Sequence, residues 1–434
     1  MFVRIRSIRA SNFPTGEVMN RKAVFVIFFA ILLVLASAGV APRRTSAQSP
    51  MFFGATRFPS LQIDGNDHLY LAMSVATAPA SEHRPHSQIF FTQSKDGGTT
   101  WDNLPQTRNL SNSRGEAFGP SLVVSKDGPL RVYIAYHDES TGTYEAYLLR
   151  TKKKTKFRKP QILTEGDGGG FSPRLAMDAS GNLNLVYGDT TGGVRHVRFM
   201  RSTDQGETFS APLTLSGDSN GAFEPEVAMT QGDAINVAWE DAGAGASVIL
   251  FSRSTDNGVT FSAPKKVSRG DGNATEAHIT ADGTGRLSVV WVQAVGDAKH
   301  AFYSRSTDNG QTFSEPLQLT TGPGASISKP LALAYNNVVY VSYQNEAPNH
   351  MQVYLAKSED AGVTFADAVQ VSNADNRCGR AHSASMAVDS EGTLHIVWID
   401  ASHVQGCNDE GLLFYSRSSN GRRFSSEQLI LAAI

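Results

Sequence analysis

The chain has 434 residues, 18% of them charged, with a formal net charge of −2. No strong basic field points to nucleic acid, and no acidic run suggests a solvating tail. Its 39 glycines suit a chain built on many tight turns.

Residues Ala23 to Ala41 form an apolar run that follows Arg21 and Lys22, ends in small residues and precedes a cleavage-like Thr45-Ser46-Ala47. This is the pattern of a secretory signal. The competing reading is an uncleaved anchor, because the run is just long enough to span a bilayer. Residues 1–47 are therefore expected to be a signal peptide or membrane anchor with an amino-terminal extension, and 48–434 a single domain. Either way the bulk of the chain is expected outside the cytoplasm, extracellular or periplasmic, with membrane contact only if the segment is uncleaved.

From there the sequence repeats. Ser202-Thr-Asp204-Gln-Gly206-Glu-Thr208-Phe209 returns, with small changes, at Ser254, Ser306 and Ser358, each start 52 residues after the last. A further copy lies at Ser94 to Trp101, a shorter one at Ser418 to Phe424, and a decayed one at Thr151 to Phe157, where only the aromatic stays in step. Apolar alternation precedes each copy and Asp-x-Gly supplies the positive φ of a reversal, so each reads as a hairpin turn. The Asp and Ser/Thr side chains are expected to bond the turn's amides while the aromatic folds back into the sheet.

About thirty residues upstream of each copy lies a small or proline-bearing strand, as in Ser172-Pro173-Arg174-Leu175 or Glu224-Pro225-Glu226-Val227, followed by a second strand ending in an aromatic. Seven such units of four strands, with no helical periodicity, predict an all-β chain. Units of this kind stack radially, so the fold class is a seven-bladed β-propeller, each blade complete in itself.

The Ser-x-Asp-x-Gly-x-Thr-Phe copies resemble the Asp-box, or BNR, repeats of sialidases and related β-propellers. Sialidases have six blades, so a six-bladed ring is the alternative and seven units are a departure. The resemblance implies an exo-acting glycoside hydrolase that holds a substrate carboxylate with three arginines, the first in an Arg-Ile-Pro motif. Thr56-Arg57-Phe58-Pro59 is similar to that motif, Glu82 occupies the loop where the family carries its catalytic Asp, and Arg174 and Arg380 are available as further arginines. No late Tyr-Ser signature appears, and the acid is Glu where the family has Asp. The box itself is a structural turn and says little about activity.

Strand order assigns the faces. Loops entering each first strand, and those joining second to third strands, share one face, and the boxes take the other. Ligand residues are expected at the first face, the mouth of the ring: His137, Asp138, Asp189, Glu240, Asp241, Gln293, Gln344, His382 and Asp400, beside Arg57 and Phe58. Asp138, Asp189, Asp241 and Asp400 close successive second strands and would bind sugar hydroxyls or a cation, or cap strand ends. His137, Asp138 and Glu139 have a metal-like composition, but neighbours on a strand point to opposite faces and cannot easily share one ion. No cofactor or metal is expected. The two cysteines, Cys378 and Cys407, fall in mouth-face loops of the last repeat, and an exported chain with an even count invites a disulfide between them.

The expected function is ligand recognition at the mouth, of a carbohydrate or an extracellular protein, by a monomer with little or no turnover. The hydrolase with an arginine anchor and a carboxylic acid proton donor is the alternative.

Overall fold

In the computed structural model each repeat forms one antiparallel sheet whose strands pair strictly in chain order. Residues 52–78, 86–102, 108–164, 169–243, 245–270, 272–322, 324–346, 350–374, 380–401 and 411–431 are described, and every statement below concerns these. The expected leader, Glu82, Cys378 and Cys407 lie outside them. Blade 1 is Phe52–Ile63, Leu69–Ala78, His86–Ser94 and Arg108–Asn109. Blade 2 is Ala117–Val124, Val132–Asp138 and Glu145–Lys153, with Lys156–Phe157 and Gln161–Ile162 sharing its outer edge. Blade 3 opens with Phe171–Met177 and Leu183–Asp189, blade 4 with Ala222–Thr230 and Ala234–Asp241, and blade 5 with Ala274–Ala281 and Leu287–Val295. Blade 6 opens with Ile327–Tyr335 and Val338–Asn345, and blade 7 with Ala381–Val388 and Leu394–Asp400. The single helical element described is a 3-10 turn, Thr191–Gly193. No described helix is long and apolar enough to cross a membrane.

Second strands such as Val132–Asp138 and Leu394–Asp400 are buried along their whole length. A strand covered on both sides needs an apolar run rather than an alternation. What covers them is the neighbouring blades: the apolar core divides into seven clusters, each shared by two adjacent blades, with the last uniting blades 7 and 1. The ring thus closes without a borrowed strand. Instead Leu61 donates its N–H to Ser385 Oγ at 3.0 Å, Ser390 donates to Asp67 at 2.8 Å, and Thr56 bridges to Gly411.

The boxes form the expected turn. In Ser306 to Thr312, Ser306 Oγ accepts from the Gly310 amide at 2.8 Å, while Asp308 accepts from the Thr312 amide at 2.9 Å and hydroxyl at 2.6 Å. The aromatic goes elsewhere than expected. Phe261, Phe313, Phe365, Trp101 and Phe157 each pack on an aromatic of the preceding blade (Phe199, Phe251, Tyr303, Tyr415 and Phe91), with ring centroids 4.9–5.7 Å apart. A blade's own sheet is already covered on that side, so the ring finds its apolar partner next door.

In the boxes, Asp204 and Asp256 are pulled down to about 2, chiefly by hydrogen bonds from the Thr208 and Thr260 hydroxyls and then from the same threonines' amides. A carboxylate depressed in the folded state stabilises it fully above the unfolded value of 3.8, and that stability is lost as pH falls through the folded value. Thermal unfolding is therefore expected to weaken most steeply between about pH 4 and 2, and Asp256→Asn to show a shallower decline there. Parallel declines in both proteins would refute this.

Candidate functional site

The seven first strands line a central channel of about 470 Å³. Each carries one residue in the left-handed region immediately before a proline or alanine: Phe58, Gly119, Ser172, Glu224, Glu276, Lys329 and Ser383, with φ from 47 to 67°. The ladder to the second strand skips at each of these points. Six of the seven are not glycine. For such residues the conformation costs on the order of 1 kcal/mol or more and persists only where neighbours over-determine it.

The neighbours are the adjacent blades. Freed from the ladder, the Gly119 amide donates to Ser74 Oγ at 3.2 Å, the Ser172 amide to His137 Nδ1 at 3.3 Å and the Glu276 amide to Glu240 Oε2 at 3.3 Å. Two residues further on, Ser60, Ser121, His278 and Ser385 accept the amides of Leu122, Leu175, Ala332 and Leu61 in the next blade. The bulge recurs in all seven blades, and at five of the seven junctions it latches one blade to the next.

The wall so formed is aromatic on one side. Phe118 stacks with Phe58 (centroids 6.4 Å), meets His137 edge-on at 3.9 Å and lies 5.8 Å from Tyr144. Phe58 and Tyr144 are each 41% exposed, which singles out this cluster as a surface open to a ligand. Burial and the nearby Arg174 charge push His137 down to about 3, so it is neutral. Because Nδ1 accepts the Ser172 amide, the ring proton sits on Nε2. Across blades 3 and 4, the Arg195 guanidinium lies 5.4 Å over the Phe223 ring.

The opposite side is acidic. Glu240 is 4% exposed. Burial, with Glu224 and Glu276 close by, pushes its pKa up to about 7, against hydrogen bonds from Ser247 and the Glu276 amide. Glu276 in turn accepts the Lys329 amide at 2.5 Å. In blade 6, Gln344 Oε1 accepts from Ser328 at 3.3 Å, while its buried Nε2 has no hydrogen-bond partner among the described residues. Deeper in the channel Arg174 Nε bonds Glu226 at 2.6 Å and Nη1 bonds the Pro173 carbonyl at 3.2 Å.

Several predicted residues are held by the fold itself. Asp138 accepts the Ser113 hydroxyl and the Ser140 amide, Asp189 the Thr191 amide and Arg198 Nε, and Asp241 the Ser219 hydroxyl and the Gly243 amide. These three carboxylates cap the turns between second and third strands. Gln293 is spanned between the Trp291 indole and the Arg269 carbonyl. His382, buried, bonds Ser383, and Asp400 is buried at the end of its strand. Arg174 and Arg380 are not brought together: Arg174 lines the channel, whereas Arg380 precedes blade 7 and reaches Glu346 at 3.6 Å. Arg57 pairs with Ser74 through its backbone beside Phe58. Among the described residues no three His, Cys, Asp or Glu side chains form a metal-binding group. Sequence reading missed Phe118, Tyr144, Arg195 and Glu276. The phenylalanine before the bulge in blades 2, 3 and 4 was the available signal.

Fold and mouth together define a ring of Asp-box blades with a ligand-sized opening, a β-propeller of the sialidase-like superfamily. A family model described as a BNR repeat-like domain matches residues 172–396, over half of the chain, and the protein belongs to that family. No curated protein matches it. Among solved structures it is similar to a polysaccharide lyase described as an ulvan lyase of family PL25 (TM-score 0.55, 13% identity, 85% of this chain and 95% of that one). It is also similar to a protein of unknown function from Dyadobacter fermentans (TM-score 0.51, 19% identity, 70% of this chain and 94% of that one). An intramolecular trans-sialidase from Ruminococcus gnavus aligns at a TM-score of 0.48 and 15% identity, over 86% of this chain and 96% of that one.

Proposed function

We propose that the protein is an exported, monomeric glycan-binding propeller that holds a saccharide at the mouth with little or no turnover. The observation carrying this reading is the aromatic cluster of the exposed Phe58 and Tyr144 around the half-buried Phe118, in a mouth that also carries hydrogen-bonding groups. A pyranose has one apolar C–H face and a rim of hydroxyls, and it needs that pairing of surfaces: a ring to cover the face, and donors and acceptors for the rim. His137 Nε2–H and the Glu240 carboxyl offer donors, while Glu224 and Glu276 offer acceptors. The ulvan lyase of similar fold is recorded bound to -[GlcA(1-4)Rha3S]-, which agrees with carbohydrate as the ligand class.

The hydrolase is the second reading, and one observation favours it: a carboxyl with its pKa near 7 is what a proton donor to a leaving group requires. Both readings are tested together. A glycan array of the purified protein is expected to give saturable binding, weakened about tenfold or more by Phe58→Ala and by Tyr144→Ala, exposed positions that leave the fold intact. A fluorogenic sialoside is expected to stay uncleaved by the protein and by Arg57→Ala. Robust turnover abolished by Arg57→Ala would overturn the binding reading.

A further inference from the structure

We infer that the face opposite the mouth carries a second binding site, a cationic hollow between blades 2 and 3 that takes a polyanionic polysaccharide bearing clustered sulfates or carboxylates. The site is the decayed box. Residues Arg150 to Lys159 (RTKKKTKFRK) hold seven cations and no acid in a chain whose net charge is −2. The five better-preserved boxes each place an aspartate at this turn, so blade 2 has exchanged an acidic turn for a basic one.

The charges sit around a hollow of about 560 Å³, bounded by Arg131, Arg150, Lys152, Lys153, Lys154 and Arg158, with Glu207 as the one acid in its lining. Glu207 answers only two of them: it lies 2.6 Å from Arg150 and 2.9 Å from Arg158. Lys152, Lys153 and Lys154 are exposed and make no ion pair among the described residues. Like charges crowded without counter-ions repel one another, and that repulsion is relieved by a multivalent anion.

Three features select the partner. No exposed large apolar side chain lines the hollow, so insertion into a lipid surface lacks its anchor. Tyr133, the aromatic there, is buried, so bases have nothing to stack on. Three of the four cations that Glu207 leaves unanswered are lysines, point charges that follow charge density rather than the planar geometry of one group. A concave site of this volume suits a single anionic chain. Because boxes and mouth lie on opposite faces, a matrix polyanion held here would leave the mouth open for its own ligand.

The test is retention of the full protein on immobilised heparin, with dextran sulfate and uncharged dextran as soluble competitors. Wild type is expected to elute with added salt and to be released by dextran sulfate but not by dextran. The variant Lys152→Ala/Lys153→Ala/Lys154→Ala is expected to lose affinity about tenfold or more, through fewer counter-ions released. Glu207→Gln should bind more tightly, a gain that a merely structural role would not produce. Equal elution of wild type and the triple variant would overturn the site. So would stronger binding to duplex DNA or to phosphatidylserine vesicles than to heparin at matched charge. Array binding at the mouth is unaffected in the triple variant if the two sites are separate, and a parallel loss of both would overturn the assignment to a second site.

Discussion

Gly98→Ala is expected to destabilise the protein by about 2–4 kcal/mol. Two costs combine there. Gly98 has φ +83°, where an L side chain is strained, and a Cβ would fall 2.2 Å from the Tyr415 ring. Tyr415 belongs to blade 7 and Gly98 to blade 1, so the clash lies at the seam. Neither blade lends the other a strand. Beside the Thr56–Gly411 bridge, the seam rests on side-chain contacts: Trp101 against Tyr415 at 5.7 Å, the Tyr415 hydroxyl on the Gly97 carbonyl at 2.9 Å, and Arg417 on the same carbonyl at 3.1 Å. Gly128→Ala is the control, because Gly128 has φ +72° with nothing within 4 Å, and it should cost only the backbone strain, about 1 kcal/mol. Urea unfolding of the two variants separates the terms. Equal losses would mean that the seam yields freely, and that ring closure does not depend on this packing.

The architecture was legible because the signals for it are local. The side chains of Ser306, Asp308 and Thr312 bond only groups of the same turn, so the turn is written in eight consecutive residues and repeats wherever they do. A second family of aspartate turns went unread: Asp64, Asp178, Asp282 and Asp389 cap the turns between first and second strands, accepting amides two or four residues on. Their spacing is as local, but their sequences vary more. The latch was hidden for a different reason. The residue before proline is ordinarily driven to extended conformations, yet Phe58, Ser172, Glu224 and Lys329 precede proline with positive φ, held there by contacts to the next blade. The site depends on the same non-local contacts. Asp138 and Asp241 read as mouth ligands because strand order brings them to that face, and only the turn amides of Ser140 and Gly243 show where their carboxylates are engaged.

Glu240 illustrates how far the mouth depends on its neighbours, and its titration gives the second large effect. Its pKa rises from 4.5 to about 7 in the folded protein, through burial first and then the Glu224 and Glu276 carboxylates. For an acid raised on folding, the native state holds its proton over the interval in which the unfolded chain has released it. Stability is therefore undiminished below pH 4.5, falls as pH rises toward 7, and levels off beyond. At about 1.4 kcal/mol per unit, the full interval corresponds to at most about 3 kcal/mol. Glu240→Gln keeps an oxygen for the Glu276 amide and removes the titration. The variant is expected to be more stable than wild type at pH 8, by up to about 3 kcal/mol, and to show no advantage at pH 4. Saccharide binding should follow the same group, since above pH 7 wild type loses the hydroxyl donor and gains a third carboxylate at the rim. Binding by wild type is expected to weaken between pH 6 and 8, an interval centred on the shifted value near 7, whereas Glu240→Gln binds evenly across it. A stability difference between the two proteins that does not vary with pH would show that Glu240 titrates alike in the native and unfolded states, and would remove it as the mouth's proton donor near neutral pH in either the binding or the hydrolytic reading.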